Sequence, residues 1–223
     1  MNNFEKYINV LKHNPLFNNI TIDDIPIMLN RLHAYTKSYK KEEYIKHSGD
    51  NADFIGILLS GKIHILQDDY YGNRNITASI SEGALFAEAF ACADIKQLNL
   101  DIVAADNCTV MFLDSSTMLG SCNHTCKFHH TIVKNLLGIV ANKNMYLNQK
   151  LRYMSRKTTS KKVMAYLYEQ AKLTDSNEFT IPFNRQELAD YLGVERSAMS
   201  VEISKLVKLG IIETKRSYFK ILE

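Results

Sequence analysis

Apolar residues along the chain fall into three successive spacings. Up to about Asp114, short apolar or alternating runs recur at Phe54–Leu59, Lys62–Leu66, Asn75–Ile80 and Val110–Leu113. Turn-forming groups separate them: Ser48-Gly49-Asp50-Asn51, Ser60-Gly61, Tyr71-Gly72-Asn73 and Ser81-Glu82-Gly83. Many short strands this close together predict a barrel or roll. Phe4–Leu11 and Ile22–Leu32 carry helical spacing ahead of the strands.

From about Thr125 to Met154 the pattern predicts one long helix with no Pro. Val133, Leu137, Val140, Asn144, Leu147, Leu151 and Met154 alternate at four and three residues. That is an a/d seam with one polar break, at Asn144. Ile132, Leu136, Ile139 and Tyr146 form a second apolar edge. A helix with two such edges must bury both. The expectation is one edge on the roll and the other on a second copy, with Asn144 fixing the register; a core helix of a monomer is the alternative. The basic run Arg156–Lys162 then leads into a helix with Val163, Leu167 and Ala171 on one side. The predicted domains are 1–124 (roll), 125–154 (dimerisation helix) and 155–223, with a hinge near Met154 to Thr159.

The last forty residues hold the most informative pattern. Asn184 followed by Glu187 opens a helix as a capping box does. Leu188 and Leu192 give it an apolar face, Ala189 is small where helices cross, and Gly193 allows a tight turn. Met199 faces back into the angle, the spacing of a helix-turn-helix. The second helix, predicted from Arg196 to Leu209, turns Met199, Ile203 and Leu206 inward. It turns Arg196, Ser197, Ser200 and Val201 outward in its first turns, where a recognition helix meets base edges. Arg196 can grip guanine bidentately. Two short strands follow Gly210. Lys215-Arg216-Ser217 turns between them as a wing placed on phosphate, and Arg185 is a further expected DNA contact. Phe179–Phe183 is expected as a strand before the motif.

Composition adds limits. The chain has 223 residues, 46% hydrophobic and 23% charged, which suits an ordinary globular protein. Nothing in it reads as a membrane helix or a secretory signal, so the expected location is the cytoplasm and the expected state of the four cysteines is thiol. From Lys150 onward fourteen Lys and Arg face nine Asp and Glu, while the rest of the chain is slightly acidic. That asymmetry suits a C-terminal face meeting a polyanion. No nucleophile–base pair stands out, and no enzyme is expected.

Nearly the whole chain resembles the Crp/Fnr family of bacterial regulators. The resemblance rests on Gly56–Ile63, on Gly83-Ala84-Leu85-Phe86-Ala87-Glu88-Ala89-Phe90, and on the helix-turn-helix. It implies an α+β fold: an N-terminal double-stranded β-roll (a cyclic-nucleotide-binding-like jelly roll), a long dimerisation helix and a C-terminal winged helix-turn-helix. It also implies a homodimer on double-stranded DNA, with RNA polymerase as a further partner. Gly83 to Val103 resembles the family's phosphate-binding cassette, which makes Gly83, Phe86, Ala87, Glu88, Ala89, Asn99 and Leu100 the expected effector pocket. In cyclic-nucleotide binders the glutamate, here Glu88, holds the ribose hydroxyl and an arginine grips the phosphate. Asn99 stands in that arginine's place, and Lys96 is no equivalent. A cyclic nucleotide is therefore disfavoured and the effector or redox signal unidentified. Val201 sits where many relatives carry a base-reading arginine; Glu202 is placed to orient Arg196 or to accept from a cytosine amino group.

Cys122, His124, Cys126, His129 and His130 concentrate soft ligands in one segment. They offer a tetrahedral zinc site or a reversible disulfide, and a plain helix start without ligands is the third reading. A thiol- or metal-based sensor acting through protein association is accordingly the alternative function.

Overall fold

The computed structural model describes residues 4–68, 74–120 and 128–222. Its most buried strand is β3 (Phe54–Ser60), which reads as an uninterrupted apolar run because both of its faces are covered. It lies in an antiparallel sheet ordered β1 (Tyr35–Tyr39), β8 (Cys108–Asp114), β3, β6 (Leu85–Phe86). A second antiparallel sheet is ordered β2 (Tyr44–Lys46), β7 (Asp101–Ala104), β4 (Lys62–Asp68), β5 (Arg74–Ser81). One core lies between the sheets, where Phe54, Leu58, Val110 and Phe112 meet Ile45, Ile63 and Ile102. The alternate residues Ile55, Ile57, Leu59, Met111 and Leu113 face the other way. They pack under Leu11, Leu16, Phe17 and the helix α2 (Asp24–Arg31), which contributes Ile25, Met28 and Leu29. The predicted helix Phe4–Leu11 is instead a 3-10 turn at Glu5–Tyr7 followed by the short α1 (Ile8–Leu11).

Gly56 shows why the roll closes tightly. It pairs with Phe86 across β3 and β6, and the Phe86 ring lies flush on the glycine. A β-carbon there would stand 2.2 Å from the ring. Gly56→Ala should destabilise the roll by about 1–3 kcal/mol through overpacking, read as a lower denaturant midpoint. An unchanged midpoint would contradict this packing.

The cassette contains a short helix, α3 (Glu88–Cys92), entered through Ala87 in the left-handed region at φ 62°. Another short helix, α4 (Ser115–Leu119), follows β8. The long helix α5 spans His129–Met154. The C-terminal part has α6 (Thr159–Thr174), β9 (Glu178–Thr180), α7 (Arg185–Leu192), α8 (Arg196–Lys208), β10 (Ile212–Lys215) and β11 (Tyr218–Ile221). Its sheet is ordered β10-β11-β9. β9 thus stops short of the strand expected through Phe183.

The chain divides into two compact units, residues 1–141 and 142–223, and the division falls inside α5. The expected boundaries were at 124/125 and 154/155. Side chains explain the difference. Ile132 and Leu136, in the first turns of α5, are buried in the core beneath the roll. Tyr153, near its end, is buried against Tyr166 and Tyr191.

Candidate nucleic-acid interface

A capping box starts α7. The Asn184 carboxamide oxygen accepts from the backbone amides of Gln186 at 2.9 Å and Glu187 at 3.0 Å, and the Glu187 carboxylate accepts from the Asn184 amide at 2.7 Å. Leu188, Ala189 and Leu192 are fully buried. Gly193 ends the helix at φ 60°, and a β-carbon there would lie 2.8 Å from the Met154 methyl. The left-handed backbone conformation calls for glycine, whereas the methyl, at the end of a flexible side chain, could give way. Lys162 steadies the turn by donating to the carbonyls of Leu192 and Gly193.

Glu195 caps the next helix. Its carboxylate accepts from the amides of Ser197 and Ala198 and from the Ser197 hydroxyl. The Ser197 hydroxyl, then the two amides, hold its carboxyl below the ordinary glutamate range. A depressed folded value gives stability that is complete above the unfolded value of about 4.3 and lost as pH falls through the folded one. The winged domain should lose stability on acidification below that point, and Glu195→Gln should flatten part of the loss. Denaturant midpoints against pH measure it; equal slopes in both proteins would contradict the cap.

Along α8, Met199, Ile203 and Leu206 are buried, which fixes the opposite face outward. Arg196, Ser197 and Val201 are exposed, and Ser200 and Glu202 are half-buried. The Ser200 hydroxyl donates to the Arg196 carbonyl at 2.9 Å, leaving its oxygen as an acceptor. Glu202 differs from expectation: it accepts from Lys205 at 2.6 Å rather than orienting Arg196. Across the wing, Lys215 and Arg216 are exposed, and Arg216 takes the hairpin tip at φ 56°. Arg185 is drawn inward instead. It donates to the Thr214 hydroxyl at 2.9 Å and lies 4.8 Å from the centre of the Phe219 ring, and burial lowers its pKa.

The structure adds residues that the sequence reading passed over. Thr158, Thr159 and Ser160 share a groove of about 510 Å³ with Ser197, Ala198, Val201 and Glu202. The Thr158 hydroxyl caps α6 by accepting from the Lys161 amide at 3.3 Å, and this helix start lines the groove beside α8. Hydroxyls and helix-start amides suit a phosphodiester. The only sequence signal was a Thr-Thr-Ser run ahead of an apolar-periodic helix.

The expected effector residues do not gather into one cavity. Phe86 is buried in the roll core, edge-on to Phe54 at 6.2 Å, and Ala87 and Leu100 pack against that core. Glu88 is 5% exposed at the start of α3, whereas Ala89 and Asn99 are exposed. Gly83 instead lines a groove with Asn9, His13, Asn14 and Glu82, and its carbonyl accepts from the Asn14 amide at 2.8 Å. Cys122, His124 and Cys126 lie outside the described residues; His129 is the first residue of α5. Among the described residues no group of His, Cys, Asp and Glu is arranged to hold a metal. Burial raises the Cys108 thiol, and burial followed by the Glu88 carboxylate raises that of Cys92.

A β-roll joined by a long helix to a winged helix-turn-helix defines a DNA-binding transcription regulator, and the comparisons agree. Residues 36–124 match the cyclic nucleotide-binding domain and residues 161–223 the Crp-like helix-turn-helix domain. The chain belongs to the Crp/Fnr family of transcription regulators, whose members are not enzymes. It is 25% identical to the transcriptional activator protein FnrL of Cereibacter sphaeroides over 194 residues, 80% of this chain and 72% of that one. Its fold is similar to the catabolite activator protein of Thermus thermophilus, with TM-score 0.53, 18% identity and 93% of each chain covered. It is also similar to DNR of Pseudomonas aeruginosa, with TM-score 0.50, 20% identity, and 96% of this chain and 93% of that one covered. No described helix is long and apolar enough to cross a membrane.

Proposed function

We propose that this regulator acts in the cytoplasm as a homodimer on a two-fold operator, with one α8 in each of two successive major grooves. The division of α8 carries the reading: its Met199–Ile203–Leu206 side is buried, and its Arg196–Ser197–Val201 side is open to a partner. The pairing is supported by the seam of α5, where Leu137, Leu147 and Leu151 are 68%, 56% and 61% exposed in the single chain. Lys215, Arg216 and the groove at Thr158–Ser160 hold the flanking phosphates, and RNA polymerase is the expected partner of the bound dimer.

The gating signal is an unidentified effector or redox event, not a cyclic nucleotide. Asp94 to Val103 contains no arginine, and the Asn99 that replaces it is neutral and exposed. The roll interior around Phe54, Phe86 and Phe112 is filled by its own side chains.

Selection from a random duplex library tests the DNA reading. It should enrich a palindrome whose binding falls steeply with salt, as phosphate contacts require. No enrichment, or a flat salt profile, would overturn it. Calorimetric titration with cyclic AMP should give no saturable heat.

A further inference from the structure

The elbow between α5 and α6 holds a cavity of about 500 Å³ that shares no lining residue with the groove at α8. Arg152, Tyr153 and Arg156 line it from one side, and Lys161, Tyr168 and Glu169 from the other. Three cations thus surround a single carboxylate. Among the described residues the lysine–carboxylate pairs are made elsewhere, by Lys96, Lys205 and Lys220.

Tyr153 is the second observation. It is only 3% exposed and lines the cavity, and its hydroxyl makes no hydrogen bond of 3.5 Å or shorter, Gln149 being a weak partner. Burial raises its pKa first, the Glu169 carboxylate next, while Gln149 and Arg152 oppose them. Arg152 and Glu169 line the cavity together with Tyr153. A buried hydroxyl so weakly bonded keeps part of its desolvation cost, and a ligand oxygen would relieve it. Two planar guanidinium forks and an ammonium match the oxygens of a phosphoryl chain. Tyr168, 49% exposed, presents an aromatic face at the same cavity.

We propose that this elbow binds a phosphorylated small molecule with a flat ring, of the nucleoside triphosphate type, and so biases the angle between α5 and α6. The regulatory half rests on the DNA-binding reading above; the binding half does not. A DNA phosphate offers the same chemistry, so the test separates the two sources.

ATP and inorganic tripolyphosphate are titrated into the full-length protein by calorimetry, without DNA and at fixed ionic strength. Saturable binding is expected, tighter for ATP. The double change Arg152→Gln and Arg156→Gln should weaken it about tenfold or more. Tyr168→Ala should abolish the preference for ATP, and Lys172→Gln, outside the cavity, should change nothing. Thermal unfolding checks that each variant folds; if the double variant does not, Tyr168→Ala and Tyr153→Phe decide by weakening ATP binding or leaving it intact. No saturable heat would overturn the proposal, as would equal losses in the Lys172 control. An arginine effect confined to DNA affinity and its salt slope would reassign the cavity to the duplex. Intact ATP binding with no DNA binding would sink the functional reading alone.

Discussion

Leu147→Glu combined with Leu151→Glu should convert the protein into a monomer and cut operator affinity by about a hundredfold or more. Both leucines belong to the four-three seam of α5 and are more than half exposed in the single chain. Paired with a second copy, they would lie at the centre of an interface where a carboxylate cannot be solvated. Joining two half-site readers makes the second contact intramolecular, which multiplies affinity by about 10²–10⁴. Loss of pairing removes that factor without touching α8. Sedimentation and fluorescence anisotropy read the two effects separately. Leu173→Glu is the control: Leu173 is 67% exposed but lies on α6, away from the seam. A double variant that remains dimeric would show that the seam is not the interface.

Arg196→Ala should weaken the selected operator by about ten- to a hundredfold, the worth of one bidentate base contact at 1–3 kcal/mol. Affinity for random duplex should hardly move. Arg196 lies in the first turn of α8 with its side chain exposed, and among the described residues Glu202 is committed to Lys205. Lys215→Ala and Arg216→Ala should behave differently, weakening all sequences alike and reducing the salt slope by about one each. Equal losses on operator and random DNA in Arg196→Ala would refute base readout by this residue.

Much of the fold was legible because long periodic segments state their own burial. α8 was placed within one residue of its observed end, since Met199, Ile203 and Leu206 recur at helical spacing and all three are buried. β3 and β8 announced themselves as apolar runs lying inside the roll. The strand β1, Tyr-Thr-Lys-Ser-Tyr, gave no such signal: it is an edge strand with only Tyr39 buried. The short helices α3 and α4 have five residues each, too few for a period to emerge.

The site was legible to the extent that it depends on local spacing. The capping box, the Gly193 turn and the outward face of α8 follow from neighbours within a turn or two. Arg185 does not, because the Thr214 hydroxyl and Phe219 ring that hold its guanidinium come from strands about thirty residues further on. The groove that joins Thr158–Ser160 to Ser197 is likewise a tertiary product. In the cassette the sequence revealed the missing arginine, but not that Phe86 would close onto Gly56.

The most direct test of the account is methylation interference at guanine N7, which lies in the major groove, on the selected operator. Interference is predicted at two clusters about one helical turn apart, with Arg196→Ala abolishing the effect at one symmetric guanine pair. Interference that is absent from the major groove, or unchanged by that substitution, would contradict the placement of α8.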